Sequence, residues 1–253
     1  MGVEGKTVFI TGGSSGIGRT LAEAFAQRGA SVAISARELG RAETVAASIR
    51  SQGGRAFAIA ADVRNAQEIE VGVARITEAL GSIDILVNNA GVAGAGASET
   101  FAEDDWNRIV DTNLKGAFLT SQAVGRGMLE RRSGRIVNIA STAGMGAFPK
   151  RAAYGASKAA LIMLTKVLAV EWADRNVRVN AIAPGVIRTE LNEQMIARGF
   201  LDLASIERRT PMHRRGETGE LVDAVMFLAS DEASFVTGAC LAVDGGWSAY
   251  SFL

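Results

Sequence analysis

The sequence predicts an α/β fold: a single doubly wound, Rossmann-like domain, its parallel sheet of about seven strands flanked by helices on both faces. Three observations carry that prediction. Short apolar runs alternate with longer stretches of helical periodicity along the whole chain of 253 residues. The short runs are rich in Val, Ile and Ala without polar alternation, as in strands buried on both faces of a parallel sheet. A glycine-rich loop, TGGSSGIG (11–18), joins the first strand to the first helix, where such folds receive a dinucleotide.

Each element follows in order. KTVFIT (6–11) reads as the first buried strand, and IGRTLAEAFAQRG (17–29) as a helix with Ile17, Leu21, Ala24 and Phe25 on one stripe and Gly29 as its stop. SVAISA (31–36) is a strand and ELGRAETVAASIRSQGG (38–54) a helix. RAFAIAADV (55–63) is a strand, followed by a helix over 66–80. IDILVNNAG (83–91) is a strand that ends in a polar turn, and one long helix over 103–130 comes after it. GRIVNIAS (134–141) leads to an apolar helix over 152–173, and that to the strand VRVNAIAP (177–184). Residues 185–215 read as irregular, 220–230 as a helix and ACLAVDGG (239–246) as the last strand. No linker, repeat or low-complexity run interrupts this series, so residues 1–253 form one domain with a strand order of 3-2-1-4-5-6-7.

Bulk composition excludes several classes. Lys+Arg and Asp+Glu are both 27, so no basic excess points to nucleic acid. One cysteine, Cys240, rules out an internal disulfide and a Cys-rich metal site. One histidine, His213, argues against a His-based zinc site and leaves no spare imidazole for a Ser-His-Asp triad. No metal is expected. No apolar run looks long enough for a bilayer and no signal peptide is apparent. The expectation is a soluble cytoplasmic enzyme.

The glycine loop lets the backbone turn tightly and approach a pyrophosphate, whose charge suits a helix N-terminus. The second strand then discriminates between dinucleotides. An acidic residue is expected at its end for NAD, and a nearby Arg for NADP. Here Ala36 stands in the acid's place and Arg37 follows. A guanidinium fork suits a phosphate dianion, so NADP(H) is favoured over NAD(H).

Four further segments line up after the loop: Asp62-Val63, Asn88-Asn89-Ala90-Gly91, Ser141, and Tyr154-x-x-x-Lys158 placed thirteen residues after that serine. With TGGSSGIG they resemble the short-chain dehydrogenase/reductase family over essentially the whole chain. The resemblance implies that Gly12, Ser14, Ser15, Gly16, Ile17 and Gly18 hold the pyrophosphate and the adenosine ribose. It implies that Asp62 and Val63 meet the adenine, that Asn88, Asn89, Ala90 and Gly91 shape the wall after the fourth strand, and that Lys158 holds the nicotinamide ribose. Pro184, Gly185, Ile187 and Thr189 match the family's P-G-x-x-x-T stretch at the nicotinamide end, and a substrate lid is expected over 186–215. The implied catalytic set is Asn113, Ser141, Tyr154 and Lys158.

The chemistry of these groups is consistent with that set. Hydride transfer to a carbonyl builds charge on oxygen, which needs a proton donor and a hydrogen-bond donor. A free tyrosine, with a pKa of about 10, is a poor base near neutrality. An ammonium one helical turn away is expected to lower that value. Tyr154 is thus the expected acid/base, Ser141 the donor to the substrate oxygen, and Asn113 part of a water relay from Lys158. The substrate is expected to be a secondary alcohol or ketone, in particular a sugar acid, sugar or polyol, because AVEWA (169–173) and VDGGW (243–247) resemble relatives such as gluconate 5-dehydrogenases. The alternatives are a 3-oxoacyl-[acyl-carrier-protein] reductase, with Arg131-Arg132 toward an acidic carrier, and a non-catalytic NADP-sensing regulator.

Two helices, 103–130 and 152–173, are apolar on more than one side, and the C-terminal segment 243–253 is aromatic. The family's two-fold interfaces lie there, so a homo-oligomer, most simply a tetramer, is expected.

Overall fold

The computed structural model describes residues 2–251. Its sheet has seven strands: β1 (Thr7–Thr11), β2 (Ser31–Ala36), β3 (Arg55–Ala60), β4 (Ile85–Asn88), β5 (Gly134–Ile139), β6 (Val177–Pro184) and β7 (Cys240–Val243). They lie in the order β3-β2-β1-β4-β5-β6-β7, the order read from the sequence. Every pairing is parallel. β1 lies between β2 and β4, with Ile10 level with both Ile34 and Val87. The chain leaves β1 and β4 in opposite directions, which opens a crevice above their carboxyl ends.

Alternation along the strands sorts the core into two layers. Val8, Ile10, Val32, Ile34 and Val87 face a layer with Leu21 and Phe25 of α1 (Gly16–Gln27), Ile49 of α2 (Leu39–Ser51) and Met226 of α9 (Val222–Ala229). Phe9, Ala33, Leu86 and Ile136 face the other, with Ile69 and Ile76 of α3 (Ala66–Leu80), Met128 of α5 (Gly116–Arg131) and Leu168 of α6 (Ala152–Trp172). Each central strand therefore buries both faces, which is why its sequence shows no polar alternation.

Three features differ from the sequence reading. The single long helix over 103–130 is α4 (Glu103–Val110) and α5, joined by a π turn over Asp111–Lys115. The wider turn carries Asn113 inward, where it is 1% exposed. The stretch read as irregular contains α7 (Glu190–Ala197) and α8 (Leu203–Arg209). Their caps were available in the sequence: Thr189 Oγ1 accepts from Asn192 N at 3.3 Å, and Asp202 Oδ2 from Ser205 N at 3.2 Å. Finally, Ala152–Arg175 is long and apolar enough to span a bilayer by length and composition. Here it packs on the sheet through Leu161, Thr165, Leu168 and Ala169, all buried.

The C-terminal aromatics also have partners within the chain. Trp247 stacks on Phe148 with ring centres 5.7 Å apart, and Arg209 lies 5.0 Å from the rings of both Trp247 and Tyr250. Phe252 lies outside the described residues.

A polar chain crosses the interior beneath the crevice. Asn88 Nδ2 donates to Ser121 Oγ and Asn138 Oδ1, both at 2.8 Å. Asn138 Nδ2 donates to Thr165 Oγ1 at 2.9 Å, and Thr165 Oγ1 to the Leu161 carbonyl at 2.8 Å. It ties β4 and β5 to α5 and α6. Breaking it orphans buried partners, each costing about 1–3 kcal/mol. Asn138→Leu keeps the branching and heavy-atom count and adds apolar surface, yet should lose about 2–4 kcal/mol in urea unfolding. A neutral or stabilised variant would show that the chain is dispensable.

Candidate functional site

The crevice holds a cleft of about 470 Å³. Its floor is the loop after β1. Gly12 and Gly16 have φ of 63° and 52°, a backbone region costly for other residues. A Cβ on Gly12 would sit 2.9 Å from Ala90 Cα, and one on Gly18 would collide with the Asn89 amide and the Gly12 carbonyl. Asn89 accordingly braces the loop: its Nδ2 donates to the carbonyls of Thr11 and Gly12, each at 3.0 Å. Thr11 Oγ1 accepts from the N–H groups of Asn89 and Ala90, each at 3.1 Å. The sequence reading missed Thr11, although it opens the quoted motif.

α1 starts at this loop without an acid in its first turn, and its cap Ser15 makes no side-chain bond to the helix. α3 differs: Asn65 accepts from Gln67 N and Glu68 N, and Glu68 lies in its first turn. The positive end of α1 is therefore left uncompensated by protein groups. A pyrophosphate fits there by charge and by the close approach that Gly12 and Gly18 permit.

Arg37 lines the adenosine end of the cleft, with Arg41 and Arg64 beside it. Arg41 is 4.0 Å from the Glu190 carboxylate. Arg64 is held by Asp62, which accepts from its Nε at 3.0 Å through both oxygens. The Arg64 hydrogen bonds hold the Asp62 carboxyl below its ordinary value, and the Arg37 charge adds to this. Arg37 itself makes no ion pair among the described residues. Arg41 and Arg64 carried no motif signal, because their approach to Arg37 depends on α2 and the turn after β3 meeting at one end of the cleft.

At the other end, Ser141, Tyr154 and Lys158 come together. Ser141 follows β5 and caps a short turn, its Oγ accepting from Ala143 N at 3.1 Å. It lies near enough to the Tyr154 phenol to pull that group's pKa down. Lys158 is 5% exposed and donates from Nζ to the Ile139 carbonyl at 2.7 Å. Gly91 keeps this corner open, since a Cβ there would be 3.3 Å from Asn113 Oδ1 and 3.6 Å from Lys158 Nζ.

Burial dominates the electrostatics of this corner. The Lys158 amine is 5.9 Å from the Tyr154 ring centre. Burial pushes the Tyr154 phenol up, and what pulls it back is the Ser141 hydrogen bond and then the charge of Arg151, whose guanidinium carbon is 5.9 Å from the ring centre. Burial also brings Lys158 down, to about 8. The Asn113 side chain bonds the turn after β4 and α6. Its Oδ1 accepts from Val92 N at 2.8 Å, and its Nδ2 donates to the Val92 carbonyl at 3.0 Å and to Ser157 Oγ at 3.1 Å. Asn113 thus locks the turn after β4 against α6.

The other expected residues divide clearly. Ser14, Ser15, Ile17, Val63 and Ala90 line the cleft with those above, as do Pro184, Gly185, Ile187 and Thr189 on the far wall. Thr189 faces the glycine loop, its methyl 3.5 Å from where a Gly16 Cβ would be. Gly18, Asn88 and Asn113 stand behind the wall and support it; Asn88 belongs to the buried polar chain. His213 is exposed, and burial raises the pKa of the half-buried Cys240 thiol. Among the described residues no group of three His, Cys, Asp or Glu could hold a metal.

Comparison with known proteins agrees with this geometry. A family model described as enoyl-(acyl carrier protein) reductase matches residues 12–248. The chain is 40% identical to 2-(S)-hydroxypropyl-CoM dehydrogenase 3 of Xanthobacter autotrophicus over 98% of both proteins. It is 41% identical to an NAD-dependent glycerol dehydrogenase of Listeria innocua, covering 96% of this chain and 94% of that one. Among solved structures, a gluconate 5-dehydrogenase from Burkholderia cenocepacia in complex with NADP and tartrate superposes with a TM-score of 0.93 at 38% identity, covering 98% of this chain and 97% of the other. The chain belongs to the short-chain dehydrogenase/reductase family and is an NAD(P)-dependent oxidoreductase acting on alcohol groups.

The Lys158 shift has a stability consequence. Below pH 8 both folded and unfolded states carry the proton, and the folded state bears the full cost of burying an ammonium. Between 8 and the unfolded value of 10.5 the folded state sheds its proton first, so stability contributed by this group rises with pH. Lys158→Met should therefore be more stable than the parent at pH 7, by up to about 3 kcal/mol less the lost bond to Ile139. The advantage should fade as the pH approaches 10.5. Denaturant unfolding at neutral and alkaline pH measures it; a variant weaker at pH 7, or a difference independent of pH, contradicts the argument.

Proposed function

We propose that the protein is an NADP(H)-dependent oxidoreductase that interconverts a secondary alcohol and a ketone, on a sugar acid, sugar or polyol. The observation that carries this reading is the single cleft that brings Ser141, Tyr154 and Lys158 together with the glycine loop. Reduction of a ketone needs a hydride at carbon and a proton at oxygen. NADPH, when bound, supplies the hydride. Tyr154 gives the proton in reduction and takes it in oxidation, while Ser141 donates to the substrate oxygen. Lys158 holds the nicotinamide ribose and connects Tyr154 to solvent protons. Asn113 keeps the turn at Val92 and the helix at Ser157 in register, as a positioning residue.

Gly12, Ser14, Ser15, Gly16, Ile17 and Gly18 would hold the pyrophosphate. Asp62 and Val63 would flank the adenine, and Asn89, Ala90, Gly91, Pro184, Gly185, Ile187 and Thr189 would form the remaining walls. Segment 186–215 would close over the substrate. Arg37 would bind the 2′-phosphate, supported by its freedom from any carboxylate among the described residues. The gluconate 5-dehydrogenase that carries NADP and tartrate is named for a sugar acid, and the glycerol dehydrogenase for a polyol. Both suit the proposed substrate class. A cytoplasmic homotetramer completes the reading. It is supported by apolar side chains left exposed on α5 and α6 (Phe118 39%, Met163 57%, Val170 82%) and at the β7 edge (Leu241 40%).

Two substitutions test the assignment. Tyr154→Phe should reduce turnover by about 10³-fold or more while NADPH binding, followed by fluorescence, and the oligomer, followed by light scattering, stay as in the parent. Retained turnover would remove Tyr154 from the chemistry. Arg37→Asp should invert the NADP/NAD ratio of kcat/KM on a panel of sugar acids, polyols and acetoacetyl thioesters. An unchanged ratio would refute the cofactor assignment, and a thioester preferred over every sugar acid and polyol would favour the carrier-protein reductase.

A further inference from the structure

A buried cation needs acceptors or a counter-charge, and two guanidiniums of this chain have them. Arg178 donates to the carbonyls of Leu228 at 3.0 Å, Ser230 at 2.6 Å and Val236 at 3.3 Å. Arg215 is paired with the Glu193 carboxylate, its Nη1 2.6 Å from Oε1, while its Nε has no partner among the described residues. Arg151 is treated differently. It is half-buried, and among the described residues its one acceptor is the Gly94 carbonyl, 3.2 Å from Nη1. Among the described residues it makes no ion pair. Of the five N–H donors in a guanidinium fork, most are left without a protein acceptor.

Its place matters as much as its surplus of donors. Arg151 caps α6 three residues before Tyr154, and its Cζ is 5.9 Å from the tyrosine ring centre. Gly94, which it touches, lies in the turn after β4 whose other end Asn113 pins at Val92. The guanidinium therefore joins the start of α6 to the turn after β4, next to Tyr154. A desolvated fork that cannot lose its proton is well suited to a planar oxyanion held by paired, charge-assisted hydrogen bonds.

We infer that Arg151 is the anion anchor of the substrate site, binding the carboxylate of a hydroxy acid or keto acid whose carbinol carbon is presented to Tyr154 and Ser141. The inference rests on the roles proposed above for those two residues and narrows the substrate class from sugar acid, sugar or polyol to the acid. A phosphate group offers the same fork-matching oxygens, so it is the competing source of the anion.

The test compares the enzyme with Arg151→Gln and Arg151→Lys, each with NADP⁺, on D-gluconate, D-glucitol and D-glucitol 6-phosphate. Loss of the Arg151 charge also acts on Tyr154, so some slowing common to all three substrates is expected. The anchor is read from the ratio: kcat/KM for gluconate relative to glucitol should fall about 10- to 100-fold in Arg151→Gln, mainly through KM, and be partly restored by Lys. A larger ratio change for the phosphate ester than for gluconate supports the anchor and names phosphate as its ligand. Equal losses on all three overturn the anchor and leave the oxidoreductase reading intact. Should none of the three turn over, that reading fails on this panel and binding decides the anchor. Gluconate should then raise the melting temperature of the NADP⁺-loaded protein saturably, and not that of Arg151→Gln. Absence of that Arg151-dependent shift overturns the inference.

Discussion

The bond from Lys158 to the Ile139 carbonyl is the constraint around which the site is arranged. It keeps a nearly buried amine at the end of a parallel strand, where few acceptors exist. Much of the neighbouring structure follows from making room for it. Gly91 has no side chain because one would press on the amine and on Asn113. Gly144 lets the turn after Ser141 lie directly on the α6 backbone, where a Cβ would be 2.6 Å from the Lys158 carbonyl carbon. The π turn brings Asn113 inward to hold Val92 and Ser157. These are costs to helix regularity and core packing that concentrate at one corner, as expected where function opposes stability.

The sheet order, the burial of the central strands on both faces and many residues of the cleft were legible in the sequence because they rest on local signals. Apolar runs without alternation, glycines at a strand-to-helix turn and a Tyr/Lys pair at one-turn spacing each have a short-range cause. What was missed depends on distant partners. Asn113 is ordinary in a helical pattern, and only the contact with Val92, twenty-one residues away in sequence, makes the turn widen. α7 and α8 had recognisable caps, Thr189 and Asp202, but short helices offer too few turns for periodicity to stand out. The pKa directions depend on burial in a related way. Spacing alone places an ammonium near a phenol, but it says nothing of how much water each loses, and here burial outweighs proximity for both.

The two ends of the cleft handle charge in opposite ways. At the adenosine end Arg37, Arg41 and Arg64 are solvated, and a carboxylate tempers two of them. Their attraction for an anion is long-ranged and screened by salt. At the catalytic end the cations are few and desolvated. Lys158 drifts toward neutrality there, whereas a guanidinium stays charged. One end thus offers several solvated charges and the other a few desolvated ones.

α6 unites these demands. Its buried stripe, Ala153, Ser157, Leu161, Thr165 and Leu168, fixes the rotation of the helix against β5 and β6. Thr165 is joined to the polar chain through Asn138, so a roll of the helix would break a buried hydrogen bond as well as apolar contacts. Rotation is the motion that would most displace Tyr154 relative to Ser141, because the two hydroxyls belong to different elements. Sliding along the axis is opposed at the N-terminal end by the turn at Gly144 and by the Ser157–Asn113 bond. The tyrosine's position is thus set by several buried contacts at a distance from it, none of which touches a substrate. A substitution in that stripe should therefore act on catalysis through geometry before it is large enough to unfold the protein.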